Sequence, residues 1–167
     1  MESINKGVIE SLPLGQLVSQ LCLVIPIYNE ARCLHDNFVK IKTYLETYGS
    51  DYEIILVNDG STDETVMVAE DIRRSNAQVR LISYRINRGK GHAVKTGIIN
   101  ATKNYVVYTD ADLAVPVQFI GACLSELAAG SPVVIGSRHL PESSFKVRED
   151  FLRQFLGEIF RTSMRFF

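Results

Sequence analysis

Residues 21–30 read Leu-Cys-Leu-Val-Ile-Pro-Ile-Tyr-Asn-Glu, an apolar run of strand length that ends in polar side chains. A strand that is apolar at successive positions is buried on both faces, as in a parallel sheet covered by helices. Similar apolar runs recur at residues 52–57, 79–84, 105–109 and 133–135, and segments with helical periodicity separate them. The sequence therefore predicts an α/β fold, with a mostly parallel sheet flanked by helices on both faces.

The helical periodicity sets the expected organisation of the chain. It predicts helices that end near residues 48, 76, 101 and 129, with Pro116 in the first turn of the last of these. A further amphipathic segment covers about residues 148–167. No internal repeat or linker interrupts the pattern, so we expect one domain over residues 21–167, preceded by an extension at residues 1–20.

Composition narrows the possible partners and the compartment. Lysine and arginine number 18 against 19 aspartates and glutamates, so there is no basic excess to hold a nucleic acid. The three cysteines are far apart in sequence and lie in apolar surroundings, which indicates reduced thiols. No apolar run reaches the roughly 18 residues of a membrane span, and residues 1–7 do not resemble a secretory signal. We expect a soluble, cytoplasmic chain.

A polar cluster follows each predicted strand. Because ligands bind beyond the carboxyl ends of strands in open parallel sheets, these clusters together predict a binding site at one edge of the sheet. The clusters are 28–30, 58–61, 87–91, 110–112 and 136–138.

Asp110 and Asp112 are the most chemically specific of these residues. Side chains two apart in extended backbone point the same way, and two neighbouring carboxylates repel each other unless a cation lies between them. Mg²⁺ or Mn²⁺ prefers such oxygen ligands and leaves positions for substrate phosphates. A capped turn, with Asp112 at the start of the helix near Pro116, explains the spacing equally well.

The other clusters also allow two interpretations. Residues 87–91, Asn-Arg-Gly-Lys-Gly, could receive an anion at a helix start or form a basic loop. Asp59 could accept hydrogen bonds from a ribose or a base, or simply form a turn with Gly60. Tyr28 could stack on a base or pack into the core. His92 and His139 lack a second ligand at zinc spacing and indicate packing or minor substrate contacts.

These motifs together resemble the family 2 glycosyltransferases, whose catalytic domain has the Rossmann-like GT-A fold. Within that family, the sequence is most similar to dolichyl-phosphate β-glucosyltransferases and to bacterial polyprenyl-phosphate glycosyltransferases. The resemblance covers about residues 21–167. It is carried by Val24-Ile-Pro-Ile-Tyr-Asn-Glu30, Val57-Asn-Asp-Gly-Ser-Thr-Asp63, Asn87-Arg-Gly-Lys-Gly91, Asp110-Ala-Asp112 and Gly136-Ser-Arg138.

The resemblance implies a role for each matching residue on the donor side. It puts Asp59 at the uracil edge of a UDP-sugar and makes Asp110-Ala-Asp112 the metal motif. Asp112 is then the direct ligand of Mg²⁺ or Mn²⁺, and Asp110 lies nearer the ribose or sugar. The remaining donor contacts that it implies are the nucleoside-pocket residues Pro26, Tyr28 and Glu30, and the loop residues Asn87 and Lys90.

On the acceptor side, the resemblance implies that Arg138, with Arg153 or Arg148, binds a lipid-linked phosphate at the cytoplasmic face of a membrane. The reaction expected is inverting transfer of a hexose, glucose from UDP-glucose, to a polyprenyl phosphate. From residue 138 onward six basic residues stand against four acidic ones, beside phenylalanines. An interfacial helix or an ordinary packing helix would each explain that composition.

The sequence departs from the family pattern at two points, and it leaves three alternative functions open. Asn58 stands where most relatives have a second aspartate, and the chain stops at Phe167 where relatives continue, so we expect a truncated catalytic domain. The rivals are a family 2 enzyme with a hydroxyl acceptor, a non-catalytic nucleotide-binding module, and a sugar-phosphate nucleotidyltransferase. The last requires a glycine-rich loop where this chain has Ile27-Tyr-Asn-Glu30.

Overall fold

A computed structural model describes residues 12–136, and within them four strands form one parallel sheet. Their order across the sheet is β3-β2-β1-β4, and every neighbouring pair is parallel. The predicted parallel sheet is therefore confirmed. The strands are β1 (Leu21–Ile27), β2 (Glu53–Asp59), β3 (Val79–Tyr84) and β4 (Tyr105–Tyr108).

Five helices accompany these strands in the described part of the chain, and all the described residues up to Val134 belong to one compact unit. None of the five is long and apolar enough to cross a lipid bilayer. Arg138, Arg148, Arg153, His139 and the predicted final helix lie outside the described residues. The helices are α1 (Leu14–Val18), α2 (Leu34–Glu46), α3 (Thr65–Ser75), α4 (Lys90–Ile99) and α5 (Phe119–Ala128).

Alternate residues of the central strands face two separate hydrophobic cores. On one face, Leu23 and Ile54 join a large core that contains buried side chains of α1, α2, α3 and α5. On the other face, Val24 and Ile55 pack with Ala93 of α4. Helices therefore cover both faces, which explains why β1 and β2 are apolar at nearly every position.

Pro26 lies inside β1 without breaking the sheet. The carbonyl of Val24 accepts the amide hydrogen of Thr109, so this residue faces β4. Pro26, two residues later, faces the same side, but β4 has already ended at Tyr108. The missing N–H of proline therefore leaves no ladder position unpaired.

Two sequence predictions at the end of the described region are wrong. Residues 133–135, predicted as a fifth strand, are not in a strand, and Ile135 is 81% exposed. A short apolar run predicts burial, but a strand also needs a neighbour to pair with, and no described residue provides one. Helix α5 begins at Phe119, not at Pro116, because Pro116 instead accepts the turn bond from the Phe119 amide.

A buried carboxylate links β2 to β3 and to the segment before β4, near the amino-terminal ends of the strands. Glu53 of β2 is 6% exposed and pairs with Arg80 of β3 at 2.6 Å. Its other oxygen accepts the amide and the hydroxyl hydrogens of Thr102, both at 2.9 Å. Burial opposes ionisation of Glu53, but the Thr102 amide and the Arg80 guanidinium outweigh it, and the pKa of Glu53 is lowered overall.

We predict that Glu53→Gln lowers stability by about 1–3 kcal/mol at neutral pH, because it leaves Arg80 and Thr102 with a weaker partner. The folded-state pKa lies below that of an unfolded glutamate, about 4.3. The stabilisation is therefore complete above that pH and is lost as the pH falls through the folded-state value. Urea denaturation between pH 7 and pH 3 should show the difference between wild type and variant shrinking with acidification. Glu46→Gln on the surface of α2 is the control, and a constant difference would contradict the prediction.

Candidate functional site

The carboxyl ends of the parallel strands meet at one edge, where side-chain hydrogen bonds join the loops after β1 and β2. The amide of Asn29 donates to the hydroxyl of Ser61 at 3.1 Å, and the amide of Thr62 donates to Asn29 Oδ1 at 2.9 Å. The amide of Glu30 donates to the buried Thr65 hydroxyl at 2.8 Å. Asn29 has φ of 55°, a left-handed conformation that asparagine tolerates better than most residues. These bonds hold Tyr28 and Glu30 in place.

Asp63 completes the junction between the two loops. Its carboxylate accepts hydrogens from the Thr65 amide at 3.0 Å and from the Ala31 amide at 3.4 Å. Burial works against its ionisation, but the hydrogen bonds from Thr65 and Ala31 prevail, and the pKa of Asp63 is lowered. The Ser-Thr-Asp turn therefore forms hydrogen bonds both to the loop after β1 and to the start of α3.

Asp59, the last residue of β2, ties that strand to the loop after β3. Its side chain is almost entirely buried, with 3% of the residue exposed, and Oδ1 accepts the Arg88 amide hydrogen at 2.8 Å. Oδ2 accepts no hydrogen bond from the described residues. The interpretation of Asp59 as only a turn former is wrong, because the residue belongs to the strand and bonds across loops.

Two glycines with positive φ shape the same region. Gly60 has φ of 70°, and a Cβ there would lie 2.6 Å from the amide nitrogen of Asn87. Gly89, with φ of 89°, immediately precedes α4, and its amide donates to Asn87 Oδ1 at 3.1 Å. The loop 87–91 is therefore packed directly against the end of β2, and the interpretation of it as merely a flexible basic loop is not supported.

Tyr84 is the last residue of β3 and pairs in register with Asp59, the last residue of β2. Its hydroxyl oxygen is buried and has no hydrogen-bond partner among the described residues. Burial, followed by the proximity of the Asp59 carboxylate, raises the pKa of Tyr84 to about 12. The ring packs edge-on against His92, with 5.4 Å between centroids, which fits packing, one of the two roles predicted for that histidine.

Lys90 and Asp110, predicted to lie near the same ligand, are paired in the structure at 2.6 Å. Both side chains are partly exposed, so the pair adds little to stability. Lys90 is the first residue of α4, where the helix dipole disfavours a positive charge. The Asp110 carboxylate beside it supplies a negative charge that offsets this cost.

Asp112 lies in a turn that leaves much of its carboxylate exposed. Oδ1 accepts the Ala114 amide hydrogen at 2.9 Å, and Leu113 between them has φ of 53°. A leucine in this left-handed region is strained, and such strain is concentrated at functional sites. Asp112 does cap a turn, but α5 begins seven residues later, so the prediction that it caps this helix is wrong.

Glu30 and Cys33 lie on the Asp112 side of the site. Cys33 donates its thiol hydrogen to Glu30 Oε2 at 3.1 Å. Burial, the Glu30 carboxylate and the charge of Asp112 together raise the pKa of Cys33 to about 11. The thiol stays protonated at neutral pH and is a poor nucleophile. All three cysteines are free, and only Cys22 is buried, while Cys33 and Cys123 are partly exposed.

The acidic side chains fit a hard divalent cation that retains water. Among the described residues, no three His, Cys, Asp or Glu side chains are grouped as a complete metal cage. Mg²⁺ and Mn²⁺ do not need one, since they take one or two carboxylates together with substrate phosphates and water. The exposed Asp112 and the half-exposed Asp110, which is also paired with Lys90, are the candidate carboxylates, although they lie in a turn after β4 and not in the extended backbone that their spacing predicted. Tyr28 is 45% exposed, so the interpretation of it as a core residue is wrong.

Sequence reasoning missed two structural residues near this edge. Thr65 is fully buried and bonds the loop after β1, and Asn37 of α2 is buried with its amide on the Ala111 carbonyl. Asn37 could have been found, because it interrupts the apolar stripe Leu34, Phe38 and Ile41 of an amphipathic helix. A polar residue in such a stripe usually has a specific partner.

The fold and the site define an α/β protein with a carboxylate-rich ligand edge. Comparison with known families matches residues 22–165 to the family described as Glycosyl transferase family 2. The chain therefore belongs to glycosyl transferase family 2, as its motifs predicted.

Individual relatives agree with this assignment. An uncharacterized glycosyltransferase of Synechocystis is 33% identical over 141 residues, which are 84% of this chain and 43% of that protein. The dolichyl-phosphate beta-glucosyltransferase of Saccharomyces cerevisiae is 33% identical over 160 residues, 85% of this chain and 48% of that protein. The chain thus spans less than half the length of these relatives.

A solved structure supports the fold. The mannosyltransferase of Pyrobaculum calidifontis, in complex with GDP-Man and Mn²⁺, superposes with a TM-score of 0.58 at 28% identity. The match covers 69% of this chain and 33% of that one. The GT-A fold predicted from the motifs is confirmed.

We predict that Gly60→Ala lowers stability by roughly 2–4 kcal/mol, combining left-handed strain with a backbone clash against the 87–91 loop. Gly130→Ala is the matched control, because Gly130 also has positive φ, 99°, but no atom within 4 Å of a Cβ. The control should lose only the strain, about 1–2 kcal/mol. Urea denaturation measures both. Equal losses would show that the loop does not press on Gly60.

Proposed function

We propose that this chain is the donor-binding part of a metal-dependent, inverting hexosyltransferase that moves glucose from UDP-glucose to a dolichyl-type polyprenyl phosphate. The observation that carries the proposal is that Asp59, at the end of β2, bonds the loop that leads to Lys90, and that Lys90 pairs with Asp110 beyond the end of β4. The similarity to the yeast dolichyl-phosphate beta-glucosyltransferase supports the choice of sugar and acceptor.

The nucleoside would bind on the β1 and β2 side of the site. Asp59 Oδ2 accepts no hydrogen from the described residues, and the N3–H of uracil is a suitable donor to it. The exposed ring of Tyr28 is available to stack on the base, with Pro26 and Glu30 beside it. Burial of Asp59 strengthens discrimination, because a base without a matching donor would leave a buried carboxylate oxygen unsatisfied.

The pyrophosphate and the sugar would bind near β4 and the start of α4. Asp112 and Asp110 would hold Mg²⁺ or Mn²⁺, which offsets the negative charge of a pyrophosphate leaving group. The Mn²⁺ in the similar mannosyltransferase complex supports an ion of this kind. Lys90, at the amino terminus of α4, supplies a second positive charge, and Asn87 completes the loop beside it.

A phosphate acceptor would need positioning and not deprotonation. A phosphate monoester is already anionic at neutral pH, so it can attack the anomeric carbon without a general base. Arginines suit such a group because they bind phosphate oxygens in a bidentate manner. In our proposal Arg138 and Arg153 take that role, at the cytoplasmic surface of a membrane where the lipid is held.

We predict that the chain binds UDP-glucose in a Mn²⁺-dependent manner, and more tightly than GDP-mannose. Asp112→Asn should reduce the affinity measured with Mn²⁺ by about tenfold or more, because it removes a charged ligand of the ion, and should change the affinity without Mn²⁺ little. Isothermal titration calorimetry with UDP-glucose, UDP-galactose and GDP-mannose, each with and without Mn²⁺, measures this.

Asp71→Asn is the control for that experiment, since Asp71 is an exposed aspartate on α3 whose one ion pair among the described residues is with Arg74 of the same helix. It should leave every affinity unchanged. Tighter binding of GDP-mannose would overturn the uridine assignment. Affinities that do not respond to Mn²⁺ or to Asp112→Asn would overturn the metal site.

The acceptor is tested in a transfer assay with the protein. With radiolabelled UDP-glucose we expect label in dolichyl phosphate, in a β-linkage, and little in oligosaccharide acceptors. Free dolichol, which has the same chain but a hydroxyl in place of the phosphate, is the matched control and should remain unlabelled. Preferential labelling of a hydroxyl acceptor would favour polysaccharide or glycan synthesis.

A further inference from the structure

Asn37 has an unusual position for an amide side chain. It lies in α2 between Leu34 and Phe38, in the face that packs into the large core, and only 7% of the residue is exposed. Burial of an amide without hydrogen bonds is strongly unfavourable, because the group loses its bonds to water and gains none in return. The partners of Asn37 therefore determine why it is tolerated there.

Both ends of the Asn37 amide are satisfied. Nδ2 donates to the Ala111 carbonyl at 2.9 Å, and Oδ1 accepts from Lys40 Nζ, also at 2.9 Å. A lysine can only donate and a carbonyl can only accept, so the two partners fix which end of the amide is which. The bond to Ala111 spans 74 residues of sequence.

The Ala111 carbonyl lies where regular structure provides no partner. Strand β4 ends at Tyr108 and α5 begins at Phe119. Between them the backbone is held by the bond from Thr109 to Val24, by turn bonds within residues 110–114 and 116–119, and, next to α5, by the Tyr44 hydroxyl, which donates to the Gln118 carbonyl at 3.5 Å. Asn37 therefore provides the long-range bond that fixes the backbone between Asp110 and Asp112.

We infer that Asn37 is a positioning residue for the two aspartates, setting the direction in which Asp110 and Asp112 present their carboxylates. Ala111 itself is buried in the same core, so α2 fixes this residue by its side chain and by its carbonyl together. The part of this inference that concerns metal affinity rests on the proposed function. The part that concerns the backbone does not.

The test compares Asn37→Ala with Asn76→Ala. Asn76 is a matched control because its Nδ2 also donates to a backbone carbonyl, that of Ile72 at 2.7 Å, at the carboxyl end of α3. Hydrogen–deuterium exchange reports on the backbone. In Asn37→Ala we expect the amides of Leu113 and Ala114 to exchange on the order of tenfold faster, because loss of one hydrogen bond allows the turn to open.

Mn²⁺ binding in the presence of UDP, followed by electron paramagnetic resonance, reports on the carboxylates. We expect Asn37→Ala to weaken it about 2- to 12-fold, the range that one net hydrogen bond provides. Asn76→Ala should change neither exchange at residues 113–114 nor Mn²⁺ binding. Asn37→Ser, which stays polar but is too short to reach Ala111, should reproduce both effects if the alanine variant does not fold.

The outcomes separate the two proposals. Unchanged exchange at residues 113–114 in Asn37→Ala and Asn37→Ser would overturn the positioning role. Faster exchange with unchanged Mn²⁺ affinity would also overturn it, because the carboxylates would then not depend on the loop. If the wild type bound no Mn²⁺ with UDP, the proposed function would fail, while the exchange measurement would still decide whether Asn37 holds the backbone.

Discussion

Strand β1 is paired on both sides and buried on both faces, and the rest of the structure depends on that constraint. Its backbone groups must be satisfied by β2 and β4, and its side chains by two separate cores. Parallel pairing then places the ends of all four strands at the same edge. Polar residues that follow β1, β2 and β4 are far apart in sequence. Because each of them follows the carboxyl end of its strand, they all lie at this edge of the sheet.

The loops at that edge have no neighbouring strand with which to form backbone hydrogen bonds. Side chains supply the hydrogen bonds that join these loops instead. Asn29, Asp59 and Asn37 each bond a backbone group of a different loop. Short polar side chains suit this task because they lose little entropy and can both cap turns and bridge loops. These bonds fix the loops relative to one another, and preorganisation of this kind lowers the free-energy cost of binding at a site.

Strand positions were the most predictable part of the fold. Residues 21–27 and 79–84 were predicted as strands with the bounds that the structure has, since strand length and apolar character coincide there. The pairing of Lys90 with Asp110 and the contact of Asp59 with the 87–91 loop also followed from the positions of the strand ends. Glu53, Thr65 and Asn37 were not predicted, because a single polar residue in an apolar segment does not reveal its partner. Those partners lie as far as 74 residues away. The wrongly predicted strand at 133–135 shows the opposite problem. An apolar run forms a strand only where another strand lies beside it to pair with.

The carboxylates of this chain fall into two groups, those whose two oxygens both accept hydrogen bonds from the protein and those that use only one oxygen in this way. Glu53 uses both oxygens on Arg80 and Thr102, and Asp63 uses both on Thr65 and Ala31. These two have lowered pKa values because the protein itself completes their hydrogen bonds. Asp59 and Asp112 instead each bind one backbone amide through one oxygen and leave the other without a partner among the described residues. A carboxylate that is fixed at one oxygen and has no protein partner at the other is oriented and still able to accept a ligand, and in our proposal these second oxygens are the ones that a base edge and a hard cation use.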